Sequence, residues 1–342
     1  MIKAKNLSKR FGYTIAVNKA SFEVKKGEVV GFLGPNGAGK TTTMRILTCY
    51  IQPDSGTAEI AGYNIHENPL EVRQKIGYLP ENAPLYADMM VTEYLDFIGE
   101  VRGMPQSKRK KAINRMIEVT NLQSVIRRPI GELSKGFRQR VGIAQAMLHD
   151  PEILIMDEPT SGLDPTQIIE IRDLIKELGK EKTVILSTHI LPEVSAACNR
   201  VLIINDGEIV ASGSPEELTQ RAQGKGIITL TIRGSKDEVE RGLKEFPRVE
   251  DVEWLAEEVS DSSISEGEIR NTEWGTPNSE FGTPKSETLH RFRIRTQQGQ
   301  DLSEELFRFV VVKGWSLSEL YKEQVSLEDI FLQLTTKDSL NG

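Results

Sequence analysis

Only two cysteines, Cys49 and Cys198, occur in the 342 residues, and they lie far apart in the chain. That scarcity excludes a disulfide scaffold and a thiolate metal cage, and it points to a reducing, cytosolic compartment. Long hydrophobic runs are missing as well. The apolar stretches at 153–156, 201–204 and 309–312 fall far short of the ~20 residues needed to span a bilayer. If the protein works on a membrane, another chain must do the spanning. The opening residues, Met-Ile-Lys-Ala-Lys-Asn, lack the apolar core of a secretion signal. A general excess of one charge is also absent. The formal net charge is −7, yet residues 257–288 alone hold eight acidic and two basic side chains. The rest is close to neutral, so the overall charge says little about partners.

What is present is more specific. Gly34, Pro35, Asn36, Gly37, Ala38, Gly39, Lys40 and Thr41 match the phosphate-binding pattern G-x-x-x-x-G-K-[ST] in full. The apolar run Val29-Val30-Gly31-Phe32-Leu33 before them suits a buried strand, and the run from Thr41 to Tyr50 suits a helix. A glycine-rich turn between strand and helix aims backbone N–H groups at one point, which makes an anion site for a nucleotide's phosphates. Lys40 is expected to reach the β- and γ-phosphates, the Thr41 hydroxyl to ligate Mg²⁺, and Thr42 to join the cradle.

A second cluster follows more than a hundred residues later. Ile153-Leu154-Ile155-Met156 reads as a buried parallel strand ending in Asp157 and Glu158. Ligands of open α/β sheets collect at that edge. Asp157 is expected to help hold Mg²⁺, directly or through water. Glu158 is expected to polarise the water that attacks the γ-phosphate, since in phosphoryl transfer the protein chiefly positions groups and neutralises charge.

Further segments share this order. They are Leu133-Ser134-Lys135-Gly136-Phe137-Arg138-Gln139-Arg140, then Ser161-Gly162-Leu163-Asp164, then His189 after the strand-like Val184 to Leu186, with Phe11 before Gly12 near the start. The set resembles the ABC ATPases over about residues 1–220, and within them the ATP-binding subunits of type-2, export-type transporters. The resemblance implies a P-loop NTPase of α/β class with a helical subdomain. It gives Phe11 the task of stacking on adenine, which its π-face suits. It makes Ser134 and Gly136 the signature turn that closes over the nucleotide of an opposite protomer, Asp164 part of the D-loop, and His189 the switch that contacts the γ-phosphate. Glu158, His189 and Lys40 are then the catalytic set. ATP and Mg²⁺ are the implied cofactors. The implied partners are a homodimeric or heterodimeric mate and an integral membrane permease, at the cytoplasmic face of the cell membrane. A soluble relative that clamps nucleic acid or ribosomes is the rival, but such proteins usually carry two nucleotide domains, coiled coils or metal clusters. With one nucleotide domain and none of those additions, no nucleic acid is expected here.

Three positions depart from the pattern. Lys135 and Phe137 replace the Gly and Gln of the usual Leu-Ser-Gly-Gly-Gln, and Lys135 either favours phosphate or is simply solvated. Glu81, in Gly77-Tyr78-Leu79-Pro80-Glu81, stands where the family has a Mg²⁺-sensing glutamine. Attraction to the metal and repulsion from phosphates oppose each other there. Glu81 is expected to approach Mg²⁺ all the same.

Residues 1–80 and about 151–220 are expected to form the nucleotide core. Residues ~82–150 form a helical insertion, which in the family helps build a groove for the permease. Its run Lys108-Arg109-Lys110-Lys111 suits a solvated helix face better than a lipid contact. From 221 to 342 the periodicity reads βαββαβ, a ferredoxin-like accessory domain, with a last helix at 327–334 capped by Ser326. The acidic stretch 257–288 interrupts it with a tandem repeat, Glu-Trp-Gly-Thr-Pro-Asn-Ser-Glu and then Glu-Phe-Gly-Thr-Pro-Lys-Ser-Glu, and suits a surface loop. Arg291, Arg293 and Arg295 share a strand face that could meet it.

Overall fold

The computed structural model describes residues 1–222, 226–258, 288–296, 302–323 and 327–336. The tandem repeat, most of the acidic stretch and the expected cap Ser326 lie outside them. The chain separates into two units, one of Met1–Leu218 with the last helix Leu327–Thr336, the other of Thr219–Ser326. The last helix therefore groups with the first unit and not with the accessory domain. The physical reason is its apolar face: Leu327 and Ile330 are buried, and the helix contacts the Arg200–Asn205 strand.

The first unit is built on a six-stranded sheet. Its order is Glu208–Gly213, Arg200–Asn205, Val29–Leu33, Thr183–Thr188, Ile153–Asp157 and Ile76–Leu79. Every neighbouring pair is parallel except the first. Strands covered on both faces read as continuous apolar runs, and Val29–Leu33 and Ile153–Asp157 are buried at every position. Side chains alternate between two cores: Ile153 and Ile155 join one, Leu154 and Met156 the other. Register then sets function. Leu33 pairs with Thr188, and Asp157 with Ser187. The chain segments that follow, Gly34 onward, Glu158 and His189, thus emerge along a single sheet edge.

One core is closed by a four-stranded antiparallel sheet, Thr14–Val24, Ile2–Phe11, Ser55–Ile60 and Tyr63–Asn64. The motifs give no hint of this layer, although Ile2 and Ala4 alternate with exposed Lys3 and Lys5. The other core is closed by the helical insertion, where Val91–Val101 buries Tyr94 and Leu95 and Gln106–Val119 buries Ile113, Met116 and Ile117. In the basic run Lys108, Lys110 and Lys111 are exposed, while Arg109 pairs with Asp96 at 2.9 Å.

The second unit has the element order βαββαβ over Gly226–Arg233, Lys236–Lys244, Val249–Glu258, Leu289–Thr296, Ser303–Val312 and Ser316–Glu323. In space its strands run second, third, first, fourth, all antiparallel, which is the split-βαβ arrangement. Ile228, Leu230, Ile232, Phe292 and Ile294 bury one face with Leu306 and Val310. The three arginines pair with acids of the same sheet: Arg293 with Glu253 at 3.7 Å and Arg295 with Asp251 at 3.5 Å on the adjacent strand, and Arg291 with Glu319 at 3.1 Å across the intervening Gly226–Arg233 strand.

Candidate functional site

The loop after Leu33 turns sharply to start the helix Lys40–Leu47. Gly37 and Gly39 both have positive φ, 86° and 102°. At Gly39 space matters as much as conformation, because a Cβ there would sit 2.2 Å from the Ala16 carbonyl oxygen. Only glycine meets both demands. The Lys40 side chain folds back into this turn and donates to the Gly34 and Pro35 carbonyls at 2.8 and 3.2 Å. The loop thereby holds its own ammonium at the place where an anion is to be received.

Glu158 faces that ammonium. Its Oε1 lies 3.2 Å from Lys40 Nζ, and both side chains are under a tenth exposed. Its Oε2 lies 2.9 Å from His189 Nδ1. The Glu158 backbone is left-handed, φ 47°, which costs a non-glycine residue about 1–3 kcal/mol. Its N–H donates to both the carbonyl and the hydroxyl of Ser187, at 3.1 and 3.0 Å. Those bonds hold the strained residue so that its carboxylate bridges lysine and histidine.

Asp157, almost fully buried, sits one residue earlier at the strand end. Its Oδ1 accepts from Ser187 Oγ at 2.6 Å and from Thr41 Oγ1 at 3.1 Å. Its Oδ2 is buried with no partner among the described residues. An unsatisfied buried carboxylate oxygen beside a hydroxyl fits a hard cation such as Mg²⁺. Among the described residues no group of three or more His, Cys, Asp or Glu could form a complete cage. Mg²⁺ suits such a site, since it takes one or two protein oxygens and completes its shell with phosphates and water. The same buried carboxylate, after desolvation, helps push the Tyr78 phenol up to about 12.

These groups surround one open cavity of about 420 Å³, lined by Asn36, Gly37, Gly39, Lys40, Thr41, Thr42, Glu81, Glu158 and His189, together with Ala16 and Ser161. Gly34, Pro35 and Ala38 do not line it but shape the loop: Gly34 N–H donates to Thr188 and Ala38 N–H to Pro35. Phe11 lies elsewhere, half exposed at the end of its strand with Lys9 Nζ 5.7 Å from its ring. Ser134 and Gly136 line a separate cavity of about 50 Å³. Ser134 caps the helix Lys135–Met147, and Asp164 caps Pro165–Gly179, accepting from Gln167 N at 2.9 Å. Within one chain the expected residues therefore fall into a phosphate-facing set and a remote set. Ser187, fully buried, supports the first set from behind through Asp157 and the Glu158 N–H without any motif announcing it. The available signal is two polar residues, Ser187 and Thr188, directly after the apolar run Val184-Ile185-Leu186 at the functional edge.

Comparison with known proteins gives a consistent result. The profile of the ABC transporter family matches residues 17–161. The chain is 40% identical over 249 residues to the uncharacterized ABC transporter ATP-binding protein YxlF of Bacillus subtilis (strain 168), covering 73% of this chain and 81% of that one. It is 40% identical over 223 residues to the bacitracin transport ATP-binding protein BcrA of Bacillus licheniformis, covering 65% and 72%. Its fold resembles the dimeric, post-hydrolysis structure of the ATP-binding cassette MJ0796 bound to ADP and Pi, with TM-score 0.57, 28% identity, and 63% of this chain and 98% of that one covered.

Proposed function

Because this chain belongs to the ATP-binding proteins of ABC transporters, ATPases that dimerise and drive membrane permeases, we propose that it powers an export-type permease from the cytoplasmic face of the cell membrane. In the proposed cycle Lys40 and the loop N–H groups bind the triphosphate. Thr41 and Asp157 hold Mg²⁺, with Glu81 approaching it. Glu158 orients and polarises the attacking water, steadied by His189. Phe11 stacks on adenine. The bound Mg²⁺ neutralises charge on the phosphates.

The observation that carries this reading is the Glu158 carboxylate, strained in backbone and held between Lys40 and His189 beside the unpaired Asp157 oxygen. The remote set supports a second protomer, a copy or a homologous mate: Ser134, Gly136 and Asp164 do not line their own chain's phosphate cavity and remain free to complete another's. No helix among the described residues is long and apolar enough to cross a membrane, and in the proposed reading the permease is a separate chain. A cavity of about 620 Å³, lined by Arg45, Arg73 and Arg102 with Pro80, Asn82 and Pro84 next to Glu81, supports a docking groove for it.

The test is phosphate release from Mg-ATP by the purified chain, with light scattering of the Glu158→Gln variant. Turnover abolished by Lys40→Ala, and an ATP-dependent dimer of the variant, are expected. A chain that releases no phosphate, alone or with its co-purifying permease, is not this engine.

A further inference from the structure

Two of the three departures from the family pattern, Glu81 and Lys135, lie together in the structure. Glu81 lines the phosphate cavity. It also lines a neighbouring cavity of about 250 Å³, whose other charged wall is Lys135 and Arg138 of the signature helix. Lys135 additionally reaches the D-loop, where a Cβ on Gly162 would meet its Nζ at 2.1 Å. The residue before that glycine, Ser161, lines the phosphate cavity too. One ammonium from the helical subdomain thus stands near two segments that wall its own subunit's phosphate site. Arg138 donates to the Leu133 carbonyl, whereas neither Glu81 nor Lys135 forms an ion pair within 4.0 Å with another described residue.

A glutamine at position 81 would gain little from a nearby cation. A carboxylate gains a second place to sit. Beside the triphosphate it is drawn by the metal and repelled by the phosphates; in the neighbouring cavity it meets two cations. We propose that Lys135 is a positioning residue for Glu81, drawing the carboxylate toward the signature helix and so setting how much negative charge the metal site receives. The replacement of glycine by lysine in the signature turn then compensates, within one subunit, the replacement of glutamine by glutamate. This rests on the ATP-binding reading above.

A double-mutant cycle tests it, with Mn²⁺ affinity in the presence of ADP read from the electron paramagnetic resonance of free Mn²⁺. In the Glu81 protein, Lys135→Ala is expected to tighten Mn²⁺ about two- to fivefold, the range of an exposed charge pair. In the Glu81→Gln background the same substitution is expected to leave Mn²⁺ affinity nearly unchanged, and Lys135→Arg to behave as the native chain. An equal shift in both backgrounds, or none in the Glu81 protein, overturns the assignment, since a merely structural lysine would not distinguish them. Binding of a fluorescent ADP analogue separates the two readings. A native chain that binds none refutes the nucleotide site and this inference together. One that binds it without Glu81–Lys135 coupling refutes the inference alone.

Discussion

Glu158→Gln is the most informative single change, because it acts on binding and on chemistry in opposite directions. The Glu158 carboxylate lies 3.2 Å from Lys40 Nζ, the ammonium a phosphate must take over. When ATP binds, Lys40 exchanges one anion for another, and the displaced carboxylate is left beside the incoming negative charge. Two unit charges on the order of 5 Å apart repel by about 3 kcal/mol at an effective dielectric near 20. Relief of half of that, about 1.5 kcal/mol, tightens ATP roughly tenfold. Glutamine keeps the shape and the strained backbone, so the change isolates charge. Loss of a general base meanwhile slows hydrolysis by about 10²–10⁴-fold. Fluorescent ATP titration and phosphate release measure the two effects on one preparation. Native turnover with unchanged ATP affinity would refute the reasoning, leaving Glu158 a structural bridge between Lys40 and His189.

Three other outcomes are expected. Gly39→Ala forces a Cβ against the Ala16 carbonyl at a left-handed φ, so nucleotide binding should be lost and the melting temperature lowered, while Gly103→Ala, with nothing within 4 Å, should leave binding intact despite its own backbone strain. Asp164→Ala removes the helix cap on Gln167 N–H and should cost about 1 kcal/mol in denaturant unfolding; Asp164→Asn keeps the cap and should cost little, so any effect of Asn on turnover reports the charge alone. His149 is held down to about 4, from 6.5, by burial first and by the Arg102 charge next. Its depressed value means that the unfolded chain binds the extra proton more readily between those two values, so its contribution is intact above about pH 6.5 and is lost as pH falls toward 4. His149→Gln should flatten that part of the stability–pH curve, and an unchanged slope would contradict it.

The phosphate loop was legible from residues alone because its chemistry is local. Glycine is needed where φ is positive, lysine where phosphate charge arrives, and all of it fits into one turn. The strands flanking the site were legible from unbroken apolar runs, since a parallel sheet covered on both faces leaves no polar alternation to read. The antiparallel layer of Ile2–Phe11 and its neighbours escaped because its half-buried strands carry weak alternation and no motif. Ser187 escaped because its importance lies in two hydrogen bonds made across strands, to Asp157 and to the Glu158 N–H.

What the sequence by itself determined is the ligand class: a strand, a glycine turn with its lysine and threonine, and a following helix make a phosphate-binding loop. The tertiary structure decided which distant side chains share that ligand. Sheet register alone aligned Leu33 with Thr188 and Asp157 with Ser187, bringing Glu158 and His189 from far along the chain onto Lys40 and leaving Ser134 and Asp164 apart. It also assigned the last helix to the nucleotide unit, because burial of an apolar face depends on which surface is near in space, and sequence separation carries no record of that.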